Sequence, residues 1–439
     1  VFILIRKRNS FYFYSNTGYN VIMFKRLIQK KLESYVKKYF KKHPEVKLVV
    51  VAGSVGKTCT KIAVGTVLSE QFRVRLHEGN HNTQMSVPLA ILGITYPEST
   101  RSFKQWLAVF EAARARIKQP TDVDVIVQEL GADRTGEIAH FGTYLKPDIA
   151  VVTAVSPEHM EFFNTIETVA AEELMVVNYS KQGVINRDDI DGEYAKYITN
   201  ANIDTYGTST TAEYNFISND YSIENGYNGI FNAPEWSEPV DAKIFTLGEH
   251  MLRSAVAAGA VGIKLGMDTG KIVSGLAKVR SIPGRMNVLR GVNETTIIDD
   301  SYNSSPLAAA SSLRTLYQLS TPQKIAVLGD MNELGSVSDV EHEALGKMCD
   351  PSQLAWVVTV GSQAEKFIAP AAKMRGCQVK VCKNALEAGS FVHSVLEPHA
   401  VILFKGSQDR IYLEEAIKVI LHSTDDQKFL VRQSSPWVE

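Results

Sequence analysis

The sequence is poor in several features, and each scarcity removes a class of answers. Among 439 residues there are four cysteines (Cys59, Cys349, Cys377 and Cys382), with no paired metal-ligand spacing and no disulfide framework. That excludes a cysteine-built metal module or stapled scaffold and suits a reducing compartment, so a cytoplasmic location is expected. Net charge is nearly absent: 47 Lys+Arg stand against 48 Asp+Glu, a balance of −1. No global field therefore draws the chain to nucleic acid, and no nucleic-acid partner is expected. No apolar run reaches the roughly 18–20 residues of a membrane span. Internal repeats and low-complexity tracts are also missing. What remains is an ordinary globular composition, 45% hydrophobic and 22% charged, over a length that suits two or three domains.

One stretch organises the rest. Residues 48–52 (LVVVA) form an apolar run of the kind buried on both faces of a parallel sheet. The run breaks at Gly53, and Gly56-Lys57-Thr58 opens a helical pattern through Ile62, Val64 and Leu68. Strand, glycine turn and helix are the context in which a phosphate-binding loop is credible. Gly53, Ser54, Val55 and Gly56 would turn backbone amides toward phosphate at a helix N-terminus. Lys57 would reach the β- and γ-phosphates of a nucleotide, and Thr58 would bind magnesium. The spacing is shorter than the common loop, since only Ser54 and Val55 separate Gly53 from Gly56. A plain β–α turn with a solvated lysine is the bland alternative.

Residues 1–22 are aromatic and patternless, and Met23 follows them, which suggests Met23 as the translation start. Residues 23–43 read as a basic amphipathic helix with apolar side chains at Phe24, Leu27, Ile28, Leu32, Tyr35, Val36, Tyr39 and Phe40. Either this helix docks on the following domain with its lysines solvated, or it makes peripheral contact with an anionic membrane surface or a lipid-linked substrate. Downstream, strands are expected at 73–76, 124–131, 149–153 and 183–186. A helix over 166–177 carries Glu172 and Glu173, and a small antiparallel lobe spans 203–245. Residues 282–285 punctuate the chain. Strand–helix alternation then restarts, with strands at 295–300, 324–330, 356–360, 378–382 and 400–404. The expected fold is α/β. An extension (1–45) precedes a central parallel-sheet phosphate-loop ATPase domain (46–285) and a Rossmann-like C-terminal domain (286–439).

Glu129 and His159 each follow a buried strand and should reach the same sheet edge as Thr58. Carboxylate, imidazole and hydroxyl beside a triphosphate form a conceivable magnesium site, although histidine is uncommon on that ion. Asp299-Asp300 and Lys405-Gly406-Ser407 end strands of the second domain, and Arg285 stands at the hinge where it can grip phosphate bidentately. Taken singly, each of these is as easily a helix cap, a core histidine or a solvated charge.

With these residues in view, the chain resembles the Mur ligases, ATP-dependent amide-forming enzymes of peptidoglycan synthesis, and within them the dipeptide-adding branch. The short loop 52–58 resembles that family's own phosphate loop. Asn80-His81-Asn82-Thr83-Gln84-Met85-Ser86-Val87-Pro88-Leu89, Glu129-Leu130-Gly131-Ala132 and Glu158-His159-Met160-Glu161 are similar to its next segments. Pro283-Gly284-Arg285, Asp299-Asp300-Ser301-Tyr302-Asn303, Gly329-Asp330-Met331-Asn332-Glu333-Leu334-Gly335 and Lys405-Gly406-Ser407 follow in the family's order. The resemblance implies ATP and Mg2+ as cofactors and an acyl phosphate route from carboxylate to amide. It implies Lys57, His159, Glu173 and Arg285 as catalytic residues. Residues 53–58, His250, Arg285 and Asp300 would bind nucleotide, with Thr58, Glu129 and His159 as metal ligands. Asn82, Asn303, Asp330, Glu333 and Lys405 would contact the substrates, a muropeptide and D-Ala-D-Ala, and a monomer is expected.

Three departures accompany the resemblance. Glu173 stands where the family places a carbamoylated lysine, so a shorter carboxylate is expected to take over that role. The adenine segment reads Gly248-Glu249-His250-Met251-Leu252-Arg253-Ser254-Ala255 and lacks both of the family's asparagines. Only about 45 residues precede the first expected strand, too few for the family's uridine-nucleotide-binding domain. Two alternatives stand beside the leading reading: the same chemistry on a lipid-linked muropeptide or folylpolyglutamate-type acceptor, and a degenerate nucleotide-binding scaffold.

Overall fold

A computed structural model describes the backbone of residues 3–7, 10–14, 16–77, 79 and 81–433, with side chains from Phe24 onward. Val1 and Asn80 lie outside the described residues. Strands β1 (Ile3–Lys7) and β2 (Ser10–Tyr14) pair antiparallel, and α1 (Asn16–Lys42) follows. The helix starts upstream of residue 23, because nothing between 19 and 22 breaks it. Its apolar stripe (Ile28, Leu32, Tyr35, Val36 and Tyr39) is buried against α3 (Ser86–Leu92) and α4 (Phe103–Lys118), while its lysines stay exposed. Most of α1 is thus docked on the next domain. No helix among the described residues is long and apolar enough to cross a membrane.

The central domain is built on a nine-stranded sheet. Its strands are β3 (Lys47–Ala52), β4 (Val74–Leu76), β5 (Val125–Glu129), β6 (Ile149–Val152), β7 (Gln182–Asn186), β8 (Ile203–Gly207), β9 (Tyr214–Ser222), β10 (Gly226–Asn232) and β11 (Val240–Ile244). They run in the order β11-β10-β9-β8-β7-β6-β3-β5-β4, parallel from β4 through β9 and antiparallel beyond. β3 lies between β5 and β6, so its valines serve two cores: Val49 and Val51 face one, Leu48 and Val50 the other. The unbroken apolar run in the sequence has its cause there. Residues 203–245 do not form a separate lobe. β8 pairs in parallel with β7, and β9 joins β8 at Tyr206–Tyr214 and Gly207–Asn215, so the antiparallel strands extend the main sheet. Covering helices include α2 (Lys57–Leu68), α5 (Glu137–Phe141), α6 (Met160–Phe163), α7 (Ile166–Asn178), α8 (Glu249–Lys264) and α9 (Thr269–Leu276).

The second sheet comprises β12 (Asn287–Arg290), β13 (Thr296–Asp300), β14 (Lys324–Gly329), β15 (Trp356–Val360), β16 (Val379–Cys382) and β17 (Val401–Lys405). Its order is β12-β13-β17-β14-β15-β16, and all pairs are parallel except β12–β13. Helices α10 (Pro306–Gln318), α11 (Ser338–Met348), α12 (Ala369–Met374), α13 (Ala385–Val395) and α14 (Glu414–Ile420) wrap it in the manner of a Rossmann-like fold. Loops after β13, β14 and β17 meet the loops after β3, β5 and β6 across a cavity of about 370 Å3. In open α/β sheets, ligands bind at such carboxyl edges.

Candidate active site

The cavity is founded on the turn after β3. Gly53 takes φ 123°, and a Cβ there would lie 2.3 Å from Thr153 Oγ1, so only glycine lets β3 and the segment after β6 approach this closely. Ser54 Oγ donates to the Ala154 carbonyl (3.1 Å) and accepts from Ser156 N–H (2.8 Å), which fixes the loop. Lys57 folds back on it, donating to the carbonyl of Gly53 (2.5 Å) and meeting Glu158 at 3.3 Å. Burial works against its ammonium, but the charges of Glu158, Glu173 and Glu129 outweigh that and hold its pKa up. Lys57 is therefore a cation presented at the start of α2, where phosphate is favoured.

Glu129 ends β5 and is 2% exposed. It accepts from Thr58 Oγ1 (3.0 Å) and Asn82 Nδ2 (3.1 Å), with Lys61 Nζ 3.7 Å away. Gln128 points to the other face of the strand and donates to His81 O (2.6 Å), which holds the segment that delivers Asn82. Thr58 and Glu129 supply hard oxygen donors of the kind magnesium takes when phosphates and water complete its shell. Among the described residues no group of three His, Cys, Asp or Glu side chains is arranged to hold a metal unaided. A phosphate-completed site has no need of one.

His159 caps α6 in a left-handed conformation (φ 49°). Its Nδ1 is 2.8 Å from Glu333 Oε2, while Nε2 lies 3.5 Å from Asp133 and 3.7 Å from Glu158. Glu333 also has positive φ (63°), and its carbonyl accepts from Met160 N–H (2.9 Å). Two residues in sparsely populated conformations thus clasp one domain to the other. Burial opposes the imidazolium, but the hydrogen bond to Glu333 and the nearby carboxylates raise the His159 pKa. In this arrangement Nδ1 is committed to Glu333, so only Nε2 faces a ligand.

Glu173 lies behind the loop, not on the cavity wall. It is 2% exposed and accepts from Gly53 N–H at 2.6 Å. Burial pushes its pKa up to about 7, even though the Lys57 charge pulls the other way. Its neighbour Glu172 accepts from Gly136 N–H and Ile138 N–H, both at 2.7 Å, and so caps the start of α5.

Arg285 lines the cavity from the junction between the domains, and Asn303 and Glu333 line it from the second domain; the Arg285 guanidinium stacks 4.3 Å over the Tyr302 ring. Asp300 and Lys405 do not line it. They form a buried pair (2.9 Å), with Ser312 Oγ donating to Asp300 (2.6 Å) and Lys405 donating to Asn303 O (2.6 Å). Burial lowers the Lys405 pKa despite the Asp300 charge. The pair braces the Asn303 loop from beneath. Asp330 also points away, accepting from Ala364 N–H (2.7 Å). His250 lies beside Val55 and Gly56 in a narrow pocket and contacts Ser311 Oγ at 2.9 Å; burial drives its pKa down to about 4.

Sequence reasoning assigned no role to several residues that shape this site. Glu158 holds Lys57, and only its adjacency to His159 hinted at that. Arg253 bridges Asp188 (3.0 Å) and Asp189 (3.1 Å) beside the narrow pocket, where the departure from the family's adenine segment was the available signal. Arg432 pairs with buried Glu414 (2.5 Å) and donates to Ser301 O (3.0 Å) and Tyr302 O (3.2 Å), fixing the ring under Arg285. No local pattern announces Arg432.

Residues 51–262 match the family described as Mur ligase middle domain, and residues 284–408 that described as Mur ligase, glutamate ligase domain. The chain is similar to UDP-N-acetylmuramoyl-tripeptide--D-alanyl-D-alanine ligase of Bacillus subtilis, 27% identical over 383 residues, covering 86% of this chain and 76% of that protein. MurF from Acinetobacter baumannii shares the fold with a TM-score of 0.72 at 22% identity, over 90% of this chain and 79% of that one. The MurF ligase from Thermotoga maritima in complex with ADP gives a TM-score of 0.69 at 23% identity, over 94% and 86%.

Proposed function

The chain belongs to the Mur ligase family, and from that premise we propose that it is an ATP-dependent ligase of peptidoglycan precursor synthesis, adding D-Ala-D-Ala to a muramoyl-tripeptide acceptor. The observation that carries this reading is the Lys57–Thr58–Glu129 group facing Arg285 and Asn303 across one cleft. One side offers a phosphate loop, and the other a guanidinium that can grip anionic oxygens.

In this reading Lys57 and the amides of residues 55–57 hold the ATP phosphates, and they keep their aim because Glu173 and Ala154 pin the amides of Gly53 and Ser54 from behind. Thr58 and Glu129 would hold Mg2+, which neutralises phosphate charge when bound. The acceptor carboxylate attacks the γ-phosphorus of ATP; the bond from that phosphorus to the bridging oxygen of ADP breaks, leaving an acyl phosphate. The amine of the dipeptide then attacks the acyl carbon and loses a proton, and phosphate departs. Arg285 balances the charge of the transferring group, and the His159–Glu333 clasp keeps the two domains shut around it. Positioning and charge neutralisation account for most of the catalysis. The nucleotide base would extend past Val55 toward the cavity of about 850 Å3 that includes Asp189, Tyr194 and Leu307.

Phosphate release tests the proposal. With ATP, magnesium and D-Ala-D-Ala, release should require UDP-muramoyl-tripeptide and stop in Lys57→Ala. Turnover with a lipid-linked or folate-type acceptor alone would move the substrate assignment; no turnover with any acceptor would leave a nucleotide-binding scaffold.

A further inference from the structure

A second surface lies where the middle of α1 meets the start of α4, and it is built of two opposed ingredients. Phe24 and Phe103 pack with ring centroids 6.4 Å apart. Around them Leu27 is 63% exposed, Phe103 62% and Leu107 44%, an unusual concentration of bare apolar side chains. Phe24 and Phe103 border a cavity of about 570 Å3 whose walls include Ile28, Met85, Tyr96 and Trp106. Lys25 and Arg101 also line that cavity, and Arg26, Lys30, Lys31 and Lys104 stand exposed nearby in the same two helices. Acid is scarce here. Before Glu33 the chain holds Arg6, Lys7, Arg8, Lys25, Arg26, Lys30 and Lys31 with no Asp or Glu, and Glu33 itself is buried against His140. Glu98 is the one exposed acid between 94 and 107.

We propose that this edge docks on an anionic phospholipid bilayer, with Leu27, Phe103 and Leu107 entering the interface and the surrounding lysines and arginines engaging headgroups. Charge complementarity decides the occupant. An apolar tip ringed by cations matches a negatively charged interface, where both contributions add. Nucleic acid would use a row of stacking faces, whereas only Phe103 among the three exposed apolar side chains is aromatic. The inner stripe of α1 is already buried, so the helix docks as part of a rigid body and only its outer edge is available. The surface also adjoins the cleft: Gln29 on α1 bonds Gln84 (3.0 Å), and Met85 in the cavity wall is three residues from Asn82, which holds Glu129. A docked molecule would present its active cleft near the membrane, within reach of an acceptor carried there.

The test is co-sedimentation of the full chain with vesicles of phosphatidylglycerol and phosphatidylcholine, against vesicles of phosphatidylcholine alone. Each cation near an anionic surface strengthens partitioning about fivefold, so Arg26→Gln/Lys30→Gln should weaken binding to the anionic vesicles about 25-fold. Leu27→Glu and Phe103→Glu, both at exposed positions, should abolish it. All variants should keep the wild-type melting temperature and phosphate release with a soluble acceptor. Equal binding to both vesicle types, no binding to either, or variants that bind like wild type would each overturn the proposal. So would a concentration-dependent dimer broken by Phe103→Glu without vesicle binding, which would assign the surface to a second copy. The vesicle-binding outcomes do not depend on which acceptor the enzyme uses.

Discussion

Glu173 offers a test in which stability and activity should move in opposite directions. The carboxylate is buried, and its pKa is raised from 4.5 to about 7. The 2.5-unit difference corresponds to about 3 kcal/mol. Between pH 4.5 and 7 the folded state keeps a proton that the unfolded chain has released. The group's contribution to stability is therefore complete below pH 4.5 and is lost as pH rises through 7. Glu173→Gln removes this dependence while keeping an acceptor for Gly53 N–H. Urea unfolding followed by tryptophan fluorescence should show the Gln variant gaining about 2.5 kcal/mol on wild type between pH 5 and pH 8. Its catalysis should nevertheless fall, since Lys57 loses one of the carboxylates that hold its charge. Glu173→Ala should fall further, because an orphaned buried N–H costs about 1–3 kcal/mol, roughly 10- to 100-fold in kcat/KM for ATP. Wild-type activity should not depend on bicarbonate. Parallel stability profiles for wild type and Glu173→Gln, or a fully active Glu173→Ala, would rule out this role for Glu173.

Three further outcomes are expected. Glu129→Gln and Thr58→Val should raise the magnesium concentration for half-maximal phosphate release by at least about tenfold; Thr58→Val should keep the wild-type melting temperature, and Glu129→Gln should lower it because buried Lys61 loses its partner. Arg432→Met should strand the buried Glu414 carboxylate and lower unfolding stability by about 3–5 kcal/mol in urea titrations. Arg432→Lys, which restores charge but not the bidentate fork, should fall in between. Because His250 is pushed down to about 4, it is neutral throughout the working range, and His250→Gln should leave the shape of the pH–rate profile from 6 to 9 unaltered.

Where a residue's environment is set by its own strand or turn, the sequence was readable. The valines of β3, the glycine turn and Lys57-Thr58 lie within a dozen positions, and their periodicity states which faces are buried. Glu129 was legible for the same reason, as the last residue of an apolar run. Legibility failed where a partner lies far along the chain. Asp300 and Lys405 both end strands, which suggested groups facing the cleft. They face each other because β13 and β17 are adjacent in the sheet, a pairing no local pattern reveals. Glu333 and His159 are likewise joined only by domain closure. The 203–245 segment was misjudged because its turn-rich composition records hairpins but not the strand they join. Glu173 was expected to take over the role of the family's carbamoylated lysine, yet its short arm reaches only the back of the phosphate loop.

In the proposed mechanism the phosphate loop serves to activate a carboxylate, not merely to hydrolyse ATP. Oxygen-18 in the acceptor carboxylate tests it most directly. With ATP, magnesium, D-Ala-D-Ala and labelled UDP-muramoyl-tripeptide, each amide product formed should be matched by one inorganic phosphate carrying one oxygen-18 atom. Unlabelled phosphate, released whether or not the acceptor is present, would contradict it.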